Sequence, residues 1–282
     1  MKRILITGAD SYIGTSFENY LKQWPDIYKV DTIDMIDGTW KEKSFAGYDS
    51  IVHVAGIAHQ KESRKSKDLY FKINRDLTIA TAQKAKHDGV KQFVFLSSMS
   101  VYGLTKGAIT RETFPNPTSS YGRSKLEAEE GILKLNSNNF RVAIVRPPMV
   151  YGYKCKGNFQ SFVKIVKKTY IFPYVKNKRS VIYIENLCSF IKELIDNESS
   201  GIWMPQDRQY INTSHMALQI ASALNKKLYL SHVLGLIVKV GMIFVPVLEK
   251  AFGSLYYDED ILPSENLLSG QVESAIIKSI RG

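Results

Sequence analysis

Cysteine, acidic residues and long apolar runs are all scarce in this chain. Two cysteines, Cys155 and Cys188, occur in 282 residues, which excludes a disulfide framework. With the five histidines they make no zinc-ligand spacing, so no metal site is expected and a reducing, cytoplasmic setting is. The 27 Asp and Glu face 38 Lys and Arg, a formal net charge of +11. The imbalance is greatest from Lys154 to Arg179, which holds eight basic residues and no acidic one. Such a stretch suits nucleic acid, an anionic membrane surface or a phosphate-bearing substrate. Lys164, Lys167 and Lys168 also fall at i, i+3, i+4, the spacing of one solvated helix face. No nucleic-acid motif or interleaved aromatic platform accompanies the charge, so nucleic acid is not expected.

The most apolar stretch, Val233–Leu248, has Lys239 as its one charge and is interrupted by Gly235, Gly241 and Pro246. Its sixteen residues are short for a bilayer crossing. A buried or broken helix is expected there, with an interfacial segment as the alternative. The opening Met1-Lys2-Arg3-Ile4-Leu5-Ile6 is basic and then apolar, but it stops at Thr7-Gly8 and reads as a buried strand rather than a leader. With 44% hydrophobic and 23% charged residues the chain is neither disordered nor collagen-like. Its length allows one large α/β domain, or a principal domain with a smaller appendage.

Strand and helix signals alternate through the first half. Arg3–Thr7, Tyr28–Met35, Ser50–Ala55, Phe93–Leu96 and Arg141–Val145 are expected strands. Tyr12–Trp24, Asp68–His87 and Ser120–Leu135 are expected helices, with Pro25 and Gly89 as stops. This order predicts a doubly wound parallel sheet covered by helices on both faces. The alternation weakens after Tyr153. A strand–helix pair survives at Val181–Ile184 and Asn186–Asp196, and Gln219–Leu224 looks helical. Residues 1–153 are therefore assigned to a dinucleotide-binding domain, joined by later segments near 180–212, and 154–282 mainly to substrate binding.

Thr7-Gly8-Ala9-Asp10-Ser11-Tyr12-Ile13-Gly14 lies between a strand and a helix. A pyrophosphate needs a tight turn, close backbone approach and a helix N-terminus, and Gly8 and Gly14 can supply the turn and the close packing. Ser11 replaces the middle glycine of a Gly-x-x-Gly-x-x-Gly pattern, and its hydroxyl can donate to a phosphate. An ordinary strand–helix turn has the same two glycines. Asp34, twenty residues after Gly14, is placed to hold the ribose hydroxyls and repel a 2′-phosphate, which favours NAD, with NADP the alternative. Asp31 and Asp37 compete for that role. Tyr121 and Lys125, four apart, share a helical face, where an ammonium would lower the phenol's pKa. Ser97-Ser98-Met99-Ser100 follows the fourth strand at the edge where parallel sheets place ligands.

Together TGADSYIG, HVAG, Asn74, FVFLSSMSVYG, YGRSK, RPPMVYG, KGNF and KRSVIYIENL resemble the extended short-chain dehydrogenase/reductases of the NAD-dependent epimerase/dehydratase family. The chain is most similar to capsule and O-antigen enzymes that reduce a UDP-linked 4-keto-6-deoxy sugar, especially across VRPPMVYGYKCKGNFQ and FGSL. The resemblance implies a Rossmann-like α/β fold with a smaller C-terminal substrate-binding region. It makes Tyr121 the acid/base, Lys125 the ribose-holding partner and Ser98 the group on sugar O4. It assigns Gly8, Ser11, Tyr12, Ile13 and Gly14 to the phosphate loop and Ala55 and Gly56 to the adenine side. Pro147 and Val150 fall beside the nicotinamide, and Asn158 and Arg179 at the nucleotide diphosphate.

Dehydratases of the family carry an Asp-Glu pair where this chain has Met99 and Ser100, so elimination between C5 and C6 is not expected. The implied activity is hydride transfer at C4 of a UDP-hexose, as a UDP-4-keto-sugar reductase of surface polysaccharide synthesis. A UDP-glucose or UDP-N-acetylglucosamine 4-epimerase uses the same residues, and a non-catalytic nucleotide-binding scaffold is the alternative of another class. A homodimer through Asp68–His87 and Ser120–Leu135 is also implied.

Overall fold

Alternate residues of the N-terminal strand point to opposite sides, as a strand's two-residue period requires. Leu5 enters one buried cluster while Ile4 and Ile6 are buried on the other side. A strand apolar on both faces belongs inside a covered sheet, and the computed structural model shows one. It describes residues 1–58, 63–155, 157–261 and 272–281, apart from the side chains of residues 64 and 65. The first half runs β1 (Lys2–Thr7), α1 (Tyr12–Leu21), β2 (Tyr28–Ile33), β3 (Ser50–His53), α2 (Arg64–Tyr70), a π-helical turn (Phe71–Leu77), α3 (Thr78–His87), β4 (Gln92–Leu96), β5 (Gly107–Ile109), α4 (Ser120–Leu133) and β6 (Arg141–Val145). Then come β7 (Met149–Tyr151), α5 (Asn158–Lys168), β8 (Ile171–Pro173), β9 (Val181–Tyr183), α6 (Ile184–Asp196), β10 (Gly201–Trp203), α7 (Thr213–Ala223), β11 (Tyr229–Ser231), α8 (His232–Phe244), α9 (Pro246–Phe252), β12 (Leu255–Tyr257) and α10 (Val272–Arg281).

The chain divides into two compact units. The first, residues 1–103, 114–147 and 188–204, holds a six-stranded sheet in the order β10-β6-β4-β3-β1-β2. All its pairings are parallel, so the α/β, Rossmann-like doubly wound fold is observed. Winding reverses between β1 and β3, the place where such sheets bind ligands. On one face Leu5, Ile51, Phe93, Phe95 and Ile144 pack with Ala82 and Ala85 of α3 and Ala128 and Ile132 of α4. The short edge strand β10, Gly-Ile-Trp, has too few residues to show a pattern and was not anticipated. The helix expected from Asp68 begins earlier, because Ser63 and Ser66 form a reciprocal capping box. Its middle is the π-turn, a local widening of the helix.

The second unit comprises residues 104–113, 148–187 and 205–282, so residues 104–113 leave the N-terminal half and only 188–204 return to the sheet. The cause is pairing: β5 lies parallel to β12, β7 to β9 and β8 to β11. Buried Asp207 ties β7, β9 and α6 together by accepting from Tyr151 Oη (2.9 Å), the Tyr183 amide and Asn186 Nδ2 (2.7 Å). Burial raises its carboxyl pKa. Val233–Leu248 is broken as expected, with Val245 capping both α8 and α9 and Pro246 opening the latter. It is not buried: most of its large apolar side chains are exposed.

One buried charge cluster joins α4 to two strand ends of the first unit. Ser97 donates to Glu129. Arg146 grips the same carboxylate through Nη2 (2.5 Å) and Nε (3.1 Å), and gives Nη1 to Tyr102 Oη at 2.9 Å. Removing one partner strands the other charge away from water, at about 3–5 kcal/mol. Glu129→Ala is expected to lower stability by about 3 kcal/mol or more in urea unfolding. Glu18→Ala, which breaks the surface Lys22–Glu18 pair, is expected to cost about 1 kcal/mol or less.

Candidate active site

The parallel register aligns the carboxyl ends of the central strands. Thr7 pairs with Ile33 and with His53, His53 with Phe95, and Leu96 with Val145. The segments after β1, β2, β3, β4 and β6 therefore emerge along one edge. They carry Gly8–Ser11, Asp34, Ala55–Gly56, Ser97–Ser98 and Pro147.

The turn after β1 combines Gly8 at φ 99° with Asp10 at φ 62°, and the Gly8 amide is held by the Ile33 carbonyl at 2.9 Å. A Cβ on Gly8 would lie 2.8 Å from the Ala55 nitrogen, so this turn and the one after β3 touch backbone to backbone. Ser11 caps α1, its Oγ accepting from the Gly14 amide at 3.1 Å. A Cβ on Gly14 would meet that Oγ at 2.6 Å and Ile6 Cγ2 at 3.2 Å. Serine at the middle position thus demands glycine at the last. The Ser11 hydroxyl proton stays available for an anion, beside the first-turn N–H groups that a helix leaves without internal partners.

The three candidate acids after and within β2 differ in environment. Asp31 accepts from Tyr48 Oη at 2.8 Å and faces Arg3 at 3.9 Å. Asp37 closes a turn onto Thr39, whose hydrogen bonds hold its pKa down. Asp34 is exposed at the strand end, with one oxygen accepting from the Ile36 amide at 3.0 Å. Asp37 is exposed as well but accepts two hydrogen bonds from Thr39, where Asp34 accepts one.

Helix α4 presents Tyr121, Lys125 and Glu129 at i, i+4, i+8 along one inward face. Ser97 is taken up by Glu129, whereas half-buried Ser98 lies within hydrogen-bonding reach of the Tyr121 phenol. Ser98 Oγ also accepts from the Ser100 amide at 3.1 Å and donates to Ser100 Oγ at 3.0 Å. Lys125 donates to the Leu96 carbonyl at 2.9 Å and lies 4.6 Å from the centre of the Phe95 ring. The expected lowering of the tyrosine is reversed: burial, with Tyr70 adding, raises its pKa above 10.0 against the opposing Ser98 bond. Burial also pulls Lys125 down to about 8, partly offset by Glu129.

Asn74, quoted in the resemblance without a role, is a positioning residue. From the π-turn its Oδ1 accepts from the Ile57 amide at 2.9 Å, and its Nδ2 donates to the Ile57 carbonyl (3.0 Å) and to Ser124 Oγ (3.2 Å). It thereby ties the turn after β3 to α4. A lone asparagine in a helical stretch gives no sign of this. Pro147, buried, accepts from the Met99 amide at 3.0 Å and so holds the turn carrying Ser98.

The second unit carries the other candidates. Val150 is half-buried in β7, and Asn158 is exposed at the first position of α5, behind Gly157. Arg179 uses Nη1 on the carbonyls of Lys250 (3.0 Å) and Gly253 (3.0 Å), at the C-terminal end of α9, a favourable place for a cation. Burial lowers its pKa. Its Nε and Nη2 have no hydrogen-bond acceptor among the described residues.

The profile of the NAD dependent epimerase/dehydratase family matches residues 4–203, and the chain belongs to that family. It is 29% identical to the UDP-glucose 4-epimerase of Vibrio cholerae over 288 residues, covering 93% of this chain and 84% of that protein. It is 26% identical to the N-acetyl-alpha-D-glucosaminyl-diphospho-ditrans,octacis-undecaprenol 4-epimerase of Escherichia coli O157:H7, covering 90% of this chain and 82% of that one. Its fold matches the UDP-glucuronic acid 4-epimerase of Bacillus cereus in complex with NAD, with a TM-score of 0.74 at 17% identity over 99% and 97% of the two chains.

The coenzyme class is NAD(P), and the residues present fit it. The β1–α1 turn offers amides and a serine hydroxyl for a diphosphate, and Asp34 offers a carboxylate for a diol. A Cβ on Gly56 would stand 3.0 Å from Asn74 Oδ1 and 3.3 Å from Lys125 Nζ, so a side chain there would crowd both.

Burying an ammonium works against folding. With a folded pKa of about 8 against an ordinary 10.5, the folded state gives up its proton first, so stability due to this group rises with pH through that window. Lys125→Met is expected to melt higher than wild type near neutrality, with the gap narrowing as pH rises from about 8 toward 10.5. Scanning calorimetry across that range checks it.

Proposed function

We propose that this chain moves a hydride at C4 of a UDP-hexose, foremost as a UDP-4-keto-sugar reductase serving surface polysaccharide synthesis. The observation that carries the reading is the convergence of Ser98, Tyr121 and Lys125 on the strand edge that also bears the phosphate turn. Bound NAD(P) supplies the hydride donor or acceptor. Tyr121, protonated because burial raises its pKa, gives its proton to the oxygen forming at C4. Ser98 donates to the same oxygen as charge develops on it. Lys125 holds the coenzyme ribose and balances the phenolate left behind. Met99 and Ser100 supply no carboxylate for elimination, which disfavours a 4,6-dehydratase.

The first unit would hold the dinucleotide through Gly8, Ser11, Tyr12, Ile13, Gly14, Asp34, Ala55 and Gly56, with Pro147 and Val150 beside the nicotinamide. Asn158, and Arg179 through Nε and Nη2, would take the nucleotide diphosphate, where a planar guanidinium matches two phosphate oxygens. A homodimer through the outer faces of α2–α3 and α4 belongs to the same reading and is checked by light scattering.

A 4-epimerase is the second reading, supported by the two 4-epimerases that align with at least 90% of this chain. In that case Tyr121 first removes the O4 proton and later returns it. Incubation with UDP-glucose or UDP-N-acetylglucosamine without added coenzyme separates the two: turnover identifies the epimerase, and a strict need for NAD(P)H and a 4-keto sugar identifies the reductase. In either case Tyr121→Phe is expected to lower kcat by about 10²–10⁴-fold while UDP-sugar binding persists. Undiminished turnover would remove Tyr121 from the chemistry. Asp34→Asn is expected to narrow the preference for NAD(H) over NADP(H), read as a ratio of kcat/KM, by about tenfold.

A further inference from the structure

Helix α8 turns its apolar stripe outward. Gly235 packs against the chain at Tyr174, so tightly that a Cβ there would stand 2.0 Å from the Tyr174 carbonyl oxygen. The opposite side carries Val233, Leu236, Ile237, Val240 and Phe244 at i, i+3, i+4, i+7, i+11, the spacing of one helical face. Val233, Leu236, Ile237, Ile243, Phe244 and Val247 are each 60–77% exposed. An exposed stripe of this length marks an interaction surface.

Its surroundings say what it meets. No acidic residue occurs from 154 to 184 or from 208 to 248, and these two segments are joined where β8 pairs with β11, Ile171 opposite Tyr229. The joint carries Tyr170, Ile171 and Tyr229, all exposed, and tyrosine favours the boundary between apolar and aqueous phases. Lys164, Lys167 and Lys168 are exposed on α5, Lys227 just before β11, and Lys239 on α8 itself. The first carboxylate beyond the patch, Glu249, is neutralised by Lys106 at 2.6 Å. Two copies of this chain meeting through the patch would set these lysines against their own equivalents. An anionic bilayer offers both an apolar interior and opposite charge. With 13 residues α8 is about 20 Å long, and no helix among the described residues is long and apolar enough to cross a membrane.

We infer that α8 lies in the plane of an anionic phospholipid surface, with its Val233–Phe244 stripe in the acyl boundary and the lysines of α5 and α8 among the headgroups. Vesicle flotation tests this with the full chain and vesicles of phosphatidylcholine alone or mixed with phosphatidylglycerol. Wild type is expected to float with the phosphatidylglycerol vesicles at least tenfold more than with phosphatidylcholine alone. The Ile237→Ser/Phe244→Ser double variant is expected to lose that binding tenfold or more. Because both side chains are exposed, the variant should keep its melting temperature, its oligomeric state and its turnover of a soluble UDP-sugar. Failure of wild type to float, equal binding by the double variant, or dissociation of an oligomer in that variant would overturn the inference. None of these outcomes bears on the chemistry at C4, which is read separately.

Discussion

In-register parallel pairing of β1 with β2 and β3, and of β3 with β4, is the constraint on which the proposed chemistry depends. Because Thr7, Ile33, His53 and Phe95 are linked by register across the sheet, every loop that follows them starts at one edge. A shift of one residue would turn each strand's side chains to the opposite face and move the loops with it. The register is guarded by apolar alternation and by a buried polar tie. His53 joins Thr7 (2.6 Å) on the neighbouring strand to Thr78 (3.0 Å) on α3, and burial pulls its pKa down to about 3. It is neutral at any pH the fold meets, a fixed connector rather than a switch.

The groups proposed to react are positioned by residues given no part in the reaction. Glu129 and Arg146 lock the ends of β4 and β6 to α4, while Asn74 locks the turn after β3 to the same helix. These anchors are buried and satisfied, so the half-buried Ser98 and Tyr121 stand on rigid supports. The cost falls on Lys125, a buried cation that donates to the Leu96 carbonyl rather than to a carboxylate. A side chain kept in that state works against folding, which fits the role proposed for it.

Much of the first unit was legible because its strands are continuous apolar runs and its turns are marked by glycine and proline. The Tyr121–Lys125 pair and the Ser97–Ser98 turn were legible as spacing, and the resemblance already singled out Ser98; the structure adds that its neighbour Ser97 is engaged by Glu129. The phenol's pKa was not legible: four-residue spacing suggests an ammonium beside a phenol, but burial of both groups governs the outcome. Strand β10 is three residues long, and the π-turn depends on tertiary contacts, so neither leaves a periodic signal. Val233–Leu248 misled because apolarity normally means burial, and a helix whose apolar stripe faces outward has the same composition as one whose stripe faces in. Arg179 lies in a run of basic residues that fits a diphosphate, yet one of its nitrogens serves as a cap for α9, which only coordinates reveal.

The most direct measurement is the origin of the hydrogen at C4 of the sugar. Turnover in deuterium oxide with unlabelled coenzyme, followed by NMR or mass analysis of the product, distinguishes delivery from the coenzyme from delivery by water. Protium at C4 is the expected result, with solvent deuterium on exchangeable oxygens only. Deuterium bonded to C4 itself would contradict hydride transfer there and, with it, the roles given to Ser98, Tyr121 and Lys125.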